Sequence, residues 1–424
     1  MRAVSFVERL EIDFHGGLFN QAVALGDVDN DKGNELVLGN IEGELAVYKG
    51  SKTTPWKKCA DLGMITCVGV GDIHNNGKNN VVTLTAEGWC YLFDLSSDGL
   101  SEQVGKEYSE DLDRTIQPSF TQHLPANGKT MLMADVDGDG KVELVIGYSD
   151  RVVRSFRWHE ATGKLQQGGK WQLTGQIGSM TVNLSADGIP ELLVAQPGGT
   201  FVTLLPQIHT ALEELLEEGE DTASQSLVYR YHPLASSRAR NSSVTTEIVG
   251  CISRGPESQS NRASYYALVT LDGTMMLVED DRILWSLQVD HQLFSLAKLD
   301  VTGNGREEVV VSSWDGQTYI VNHNREVVRY QFEESVAAFH AGHYSVVEGK
   351  NVPCFVYVTF SNRIYVYYNL YLPQVESTSL IEAMGNLTET QQLLARLNIN
   401  TSSTSQLRQL YRWCLYGKHK SPKT

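Results

Sequence analysis

Residues 134–147 read A-D-V-D-G-D-G-K-V-E-L-V-I-G, with carboxylates at Asp135, Asp137, Asp139 and Glu143. Residues 26–39 repeat that text as G-D-V-D-N-D-K-G-N-E-L-V-L-G, with Asp27, Asp29, Asp31 and Glu35. Three looser copies keep the frame: G-D-I-H-N-N-G-K-N-N-V-V from Gly71, V-N-L-S-A-D-G-I-P-E-L-L-V from Val182, and L-D-V-T-G-N-G-R-E-E-V-V-V from Leu299. A recurring unit sets the architecture before any single residue sets the chemistry.

The text after each copy follows one grammar: a short apolar strand, a tight turn, then a second strand. From Glu35 it runs E-L-V-L-G-N-I-E-G-E-L-A-V-Y, and from Glu143 E-L-V-I-G-Y-S-D-R-V-V-R-S-F. Further turns of the kind sit in Y-A-L-V-T-L-D-G-T-M-M-L-V, V-V-V-S-S-W-D-G-Q-T-Y-I-V and C-F-V-Y-V-T-F-S-N-R-I-Y-V-Y-Y. The turns fall near 43, 88, 150, 199, 273, 316 and 362, typically about 43 to 49 residues apart. Short strands punctuated by turns at this period predict propeller blades of about four strands each. The expected fold class is therefore all-β, a seven-bladed β-propeller over residues 1–372. A polar insertion at about 98–115 and an acidic helix with a Ser- and Arg-rich stretch at about 207–243 read as surface loops. The strand T-T-E-I-V-G-C-I is assigned to blade five. The amino-terminal A-V-S-F-V-E-R-L-E-I, which has no loop of its own, is expected to pair in the last blade and remove a free edge. Residues 375–416 turn helical, with Leu393, Leu394 and Leu397 on one face, Leu407, Leu410, Tyr411 and Cys414 on another, and Thr388 and Thr404 as caps. Such short helices need a surface to lie on, in cis or on a partner. Residues 417–424 read as a disordered basic tail.

Oxygens at positions 1, 3, 5 and 9 of the loop suit one hard cation, and calcium accepts six to eight of them. Asp27, Asp29, Asp31, Glu35, Asp135, Asp137, Asp139 and Glu143 are the candidate ligands of a structural calcium ion. Four carboxylates in one turn repel each other unless a cation sits among them. An EF-hand is rejected, because it needs flanking helices and a bidentate Glu at position 12, where this chain has Ile146. Asp300, Thr302, Asn304 and Glu308 form a weaker set with two formal charges. The copies at 72–80 and 183–191 read as turns held by side-chain hydrogen bonds.

The chain of 424 residues carries a net charge of −16, which argues against a general nucleic-acid surface. Its six cysteines show no zinc or redox spacing. The start has no long apolar core and no apolar run approaches about 20 residues, so neither a secretory signal nor a membrane span is expected, and the cytosol is. His340 and His343 suggest a metal pair, but no third ligand is legible. No nucleophile elbow or phosphate-binding glycine loop is present. The residues point to binding or scaffolding and not to catalysis.

The two complete copies resemble FG-GAP repeats, the units of the integrin alpha-subunit propeller, in which cation loops join the first two strands of a blade. A closer resemblance covers nearly the whole chain. T-A-E-G-W-C-Y-L-F-D-L, G-Y-S-D-R-V-V-R-S-F-R-W and I-L-W-S-L-Q-V-D-H-Q-L-F are similar to the FG-GAP repeat-containing family that supplies a subunit of the KICSTOR complex. The resemblance implies a non-enzymatic scaffold beside other KICSTOR subunits, above all a kaptin-like propeller subunit. It implies indirect contact with the GATOR complex, placement at the lysosomal surface, and restraint of target-of-rapamycin signalling when amino acids are scarce. The alternative reading is a calcium-responsive regulatory module.

Overall fold

The computed structural model describes residues 2–96, 114–204, 229–233, 243–256, 263–280, 282–373, 375, 388–400 and 403–417. Seven sheets, antiparallel except for one added strand in blade six, follow one another along the chain. Blade one uses Val23–Gly26, Glu35–Gly39, Leu45–Tyr48 and Lys57–Cys59, and blade three uses Gly128–Ala134, Glu143–Tyr148, Val152–His159 and Lys164–Gln172. The first strands of consecutive blades touch around a ring, and the first strand of blade seven, Val336–Val347, returns to Val23–Gly26. The molecule is a closed seven-bladed propeller, as the repeat predicts.

The second strand of a blade is flanked by sheet on both sides. Glu35–Gly39, Asn80–Thr85, Glu143–Tyr148 and Glu308–Ser313 are accordingly buried at every position. The core is seven apolar clusters, each shared by two adjacent blades. Between blades seven and one, for example, Leu36, Leu38 and Tyr48 meet Tyr344, Val356 and Val366. Each such side chain contributes about 1.5–3 kcal/mol on burial. The glycine ending E-L-V-L-G is required by this packing. A Cβ on Gly39 would come within 2.5 Å of Ile65 Cγ2 in the next blade.

The ring closes with Arg9–Asp13, which pairs antiparallel to Arg363–Tyr367 with Ile12 opposite Ile364. The amino-terminal strand thus supplies the outer strand of blade seven. The residues before it do something else: Arg2–Ala3 pair in parallel with Val328 and Arg329 of blade six. Both sheets thereby gain edge cover, and Val4 and Phe6 pack on the cluster between blades six and seven.

Three expectations need correction. Tyr229–Pro233, read as part of a surface-loop insertion, is the outer strand of blade four, pairing with Thr200–Leu204. Y-R-Y-H-P is short and ends in a proline, which demotes a run to an edge strand or none. The rest of that insertion, at 205–228 and 234–242, and most of the polar one, at 97–113, lie outside the described residues, as does the tail beyond Gly417. In helix α1, Thr388–Arg396, Leu394 is buried while Leu393 and, just past its end, Leu397 are exposed. Helix α2, Thr404–Tyr416, has Ser403 and not Thr404 at the capping position, and Ser403 makes no side-chain cap bond. Thr246–Ile252 is the first strand of blade five, as assigned. Among the described residues no helix is long and apolar enough to cross a membrane.

Candidate functional site

Strand order gives the disc two unlike faces. Loops joining first to second strands lie on one, and turns joining second to third strands lie with the inter-blade connectors on the other.

On the loop face the repeats share one internal scaffold. The aspartate at position 1 accepts backbone N–H groups from further along its loop. Asp27 takes Asp31 at 3.1 Å and Lys32 at 2.9 Å, Asp135 takes Gly138 at 2.6 Å and Gly140 at 2.8 Å, and Asp300 takes Gly303 and Gly305, both at 2.7 Å. The glutamate at position 9 accepts the N–H of position 2: Val28 to Glu35 at 3.1 Å, Val136 to Glu143 at 3.0 Å and Val301 to Glu308 at 3.0 Å. The structure brings Asp27, Asp29 and Glu35 together in blade one, and Asp135, Asp137 and Glu143 in blade three.

Two side chains that the loop motif does not contain complete these clusters. Lys49 Nζ reaches Asp29 Oδ2, Asp31 Oδ2 at 2.6 Å and Glu35 Oε1 at 3.2 Å. The Arg157 guanidinium reaches Asp137 at 2.9 Å, Asp139 at 2.8 Å and, through Nε at 2.7 Å, Glu143. Burial pushes the Glu35 carboxyl up to about 7, with the Val28 N–H and Lys49 pulling the other way. Burial also raises Glu143. Against the lowering effect of burial, bonds to Asp29 and Asp31 hold the Lys49 ammonium well above its usual range.

The looser copies brace the ring. Asp72 accepts the N–H groups of Asn76 at 3.0 Å and Gly77 at 2.6 Å, as a turn held by its own side chain. Asn75 accepts from Val142 N at 2.6 Å and donates to Val142 O at 3.2 Å, tying loop two to loop three. Asn30 and Asn79 tie loop one to loop two, and Asn34 and Asn351 tie loop one to blade seven. At the weaker set, Asn304 Oδ1 accepts from Arg306 N at 2.8 Å, so that it holds its own loop. His340 and His343 share a strand three positions apart, so their side chains leave opposite faces of the sheet and make no pair.

Glu308 supplies a test of this scaffold. Burial raises its carboxyl to about 7, from an ordinary value near 4.5. The folded protein therefore holds a proton that the unfolded chain releases between those values. Stability from this group is full below pH 4.5 and declines as the pH rises towards 7. The decline amounts to about 3 kcal/mol. Glu308→Gln keeps an acceptor for Val301 and removes the titration. Urea unfolding at pH 5 and pH 8 is expected to show a smaller loss for the variant than for the wild type. Equal losses would contradict the buried carboxyl.

The turn face is chemically different. Among the described residues six of its large apolar side chains are exposed: Trp314, Phe360, Phe19, Ile41, Met64 and Trp89. They occupy four consecutive blades, six, seven, one and two. Backbone bonds link the turns to the connectors around this arc: Val336 to Trp314, Phe360 to Ser335, Ile41 to Gly17 and Ala86 to Met64. The corresponding turns of blades three and four carry Ser149-Asp150-Arg151 and Pro197-Gly198-Gly199. Acidic side chains border the arc: Glu42, Glu87, Asp315 and Glu333 are exposed, and Glu334 accepts from Tyr365 Oη at 2.7 Å. Sequence reading missed this arc, because its members are distant in the chain and meet only through the ring.

Fold and loops together define an FG-GAP-type propeller. The profile of the integrin-alpha FG-GAP repeat-containing protein 2 family matches residues 49–372, and the chain belongs to that family. A Mus musculus protein described as KICSTOR complex protein ITFG2 is 46% identical over 430 residues, covering 98% of this chain and 96% of its own length. A Bos taurus protein of the same description is 46% identical over 407 residues, covering 91% of this chain and 74% of its own. Among solved structures, BBS1N in complex with ARL6DN, soaked with mercury, matches with a TM-score of 0.59 at 14% identity, over 89% of this chain and 100% of that one. A lead-soaked crystal of the same complex matches with a TM-score of 0.56 at 13% identity, over 86% of this chain and 97% of that one. The likeness to these two structures is one of fold.

Proposed function

We propose that this chain is a non-catalytic docking subunit of the KICSTOR complex. In this reading it binds a kaptin-like propeller subunit through the apolar arc of its turn face. The assembled complex then helps recruit the GATOR complex to lysosomes and restrains amino-acid-dependent target-of-rapamycin signalling. The observation that carries the reading is the arc itself. Exposed apolar side chains grouped on one face mark an interaction site, and aromatic anchors dominate such interfaces. The acidic border favours a partner segment whose own apolar anchors are flanked by Lys or Arg. The relatives' description as KICSTOR complex proteins names the assembly in which to look.

The chemistry of the loop face agrees with a structural role. Its carboxylates are engaged by backbone N–H groups and by Lys49 and Arg157. A cavity of about 230 Å³ beside Arg157, lined also by Trp171 and Leu192, is smaller than the ~300–1,000 Å³ usual for small-molecule sites. A calcium-responsive regulator needs an element with two positions, and loops latched to neighbouring blades by Asn30, Asn75 and Asn351 oppose such movement. Co-expression of the full chain with each KICSTOR subunit tests the proposal. Capture of the kaptin-like subunit is expected, and capture of none would overturn it.

A further inference from the structure

A loop with oxygens at positions 1, 3, 5 and 9 suits a divalent cation. In this chain the oxygens of positions 3, 5 and 9 already hold a cation of the chain's own. Asp29, Asp31 and Glu35 converge on Lys49 Nζ, and Asp137, Asp139 and Glu143 converge on the Arg157 guanidinium. A calcium ion on the same oxygens would have to displace that cation or lie a few ångströms from its full positive charge, which weakens its binding relative to a loop of carboxylates alone.

The five repeats within the chain give an internal control. Strand pairing sets Leu36 opposite Tyr48 and Leu144 opposite Phe156, so that Lys49 follows opposite Glu35 and Arg157 opposite Glu143. The same position in two other copies is Asp94 in blade two and Asn322 in blade six. A basic residue thus stands opposite position 9 in the two copies with four carboxylates and in neither Asp72's nor Asp300's loop. Asp94 instead follows opposite Asn80, where the acid has been lost. Asn322 follows opposite Glu308 and donates to Val375 O at 3.0 Å, holding the chain after blade seven. Side-chain charge follows loop charge blade by blade.

We propose that Lys49 and Arg157 each sit among three of the four carboxylates of a complete acidic loop and offset part of their charge, and that this propeller folds without calcium. The family-type cation position is thereby converted into an ion-pair brace between the loop and the third strand of the same blade. Blade three is the tighter of the two. In blade one Asp29 Oδ1 lacks a hydrogen bond and Glu35 Oε1 is ion-paired only, so a metal ion would compete there first.

The test uses the full chain in chelator-treated buffer, titrated with terbium and then calcium. Emission would be sensitised by Trp56, whose ring lies 5.2 Å from Lys49 Nζ, and by Trp171, which lines the cavity beside Arg157. The wild type is expected to give no emission that calcium displaces, up to about 10⁻³ M, the weak end for calcium modules. Its melting temperature is expected to be the same in calcium and in chelator. Lys49→Met and Arg157→Met are each expected to melt lower in chelator, and to gain both terbium emission and a calcium-dependent rise in melting temperature. Lys49→Arg, which keeps the charge, is expected to behave as the wild type. Displaceable emission from the wild type, or a fall in its melting temperature on chelation, would overturn the proposal. Met variants as stable as the wild type in chelator would overturn it as well. If the Met variants fail to fold, the wild-type titration decides alone.

Discussion

Replacing Phe360 and Trp314 together by aspartate is expected to abolish capture of the partner subunit and leave the fold intact. Phe360 is 67% exposed, whereas Trp314, 39% exposed, stacks on Phe294, which packs against the cluster between blades six and seven. Each is the second residue of a tight turn, Ser313–Gly316 or Thr359–Asn362, ahead of the residue with positive φ, Gly316 or Asn362. Truncating one buried aromatic anchor in an interface costs about 2–4 kcal/mol. Two carboxylates placed in an apolar contact add the cost of burying unpaired charge. A loss of more than a hundredfold in affinity follows, since each 1.4 kcal/mol is tenfold. Thermal unfolding of Phe360→Asp alone should match the wild type within the ±0.5 kcal/mol usual for surface changes, and the double variant should lose about 0.5–1.5 kcal/mol more with the Trp314–Phe294 stack. The control is Ser149→Asp together with Pro197→Asp on blades three and four, which should bind as before. Equal binding by the arc variant and the wild type would remove the arc from the interface.

The second large effect concerns closure of the ring. Ile12 is fully buried and lies opposite Ile364 in the strand that completes blade seven. It packs with Val358 and Val366 of that blade and Leu38 of blade one. Ile12→Ala should cost about 2–5 kcal/mol, as core truncations of this size do. Ile12→Asp should cost more, because a carboxylate there has no partner and no water. The neighbouring Glu11→Ala should be nearly neutral, since Glu11 lies on the exposed side of the strand. Differential scanning calorimetry compares the three. If Ile12→Asp unfolded like the wild type, the amino-terminal strand would not be closing the ring.

The fold was legible because its repeat is written locally. The acidic loop, the following apolar strand and the turn lie within one short stretch, and each turn demands a residue that tolerates positive φ. Gly43, Gly88, Arg151, Gly199, Gly273, Gly316 and Asn362 meet that demand, one in each blade. The closing strand was legible in part. An orphan strand at one end of a ring must pair, but nothing in A-V-S-F-V-E-R-L-E-I announces that Arg2 and Ala3 turn to blade six. Lys49 and Arg157 went unread because their role depends on cross-strand register. A signal did exist, since each basic residue follows its position-9 glutamate by the same fourteen places, as for Glu143 and Arg157. The arc on the turn face left no local signal. Trp314, Phe360 and Ile41 look like isolated surface residues until the ring sets their blades side by side.

Hydrogen–deuterium exchange of the chain, alone and bound to the kaptin-like subunit, is the most direct test of the docking account. Binding is expected to slow exchange in the turns around Ile41, Trp89, Trp314 and Phe360 and in the connector at Phe19, while the equivalent turns of blades three and four stay unchanged. Protection confined to the acidic-loop face, or to blades three to five, would contradict it.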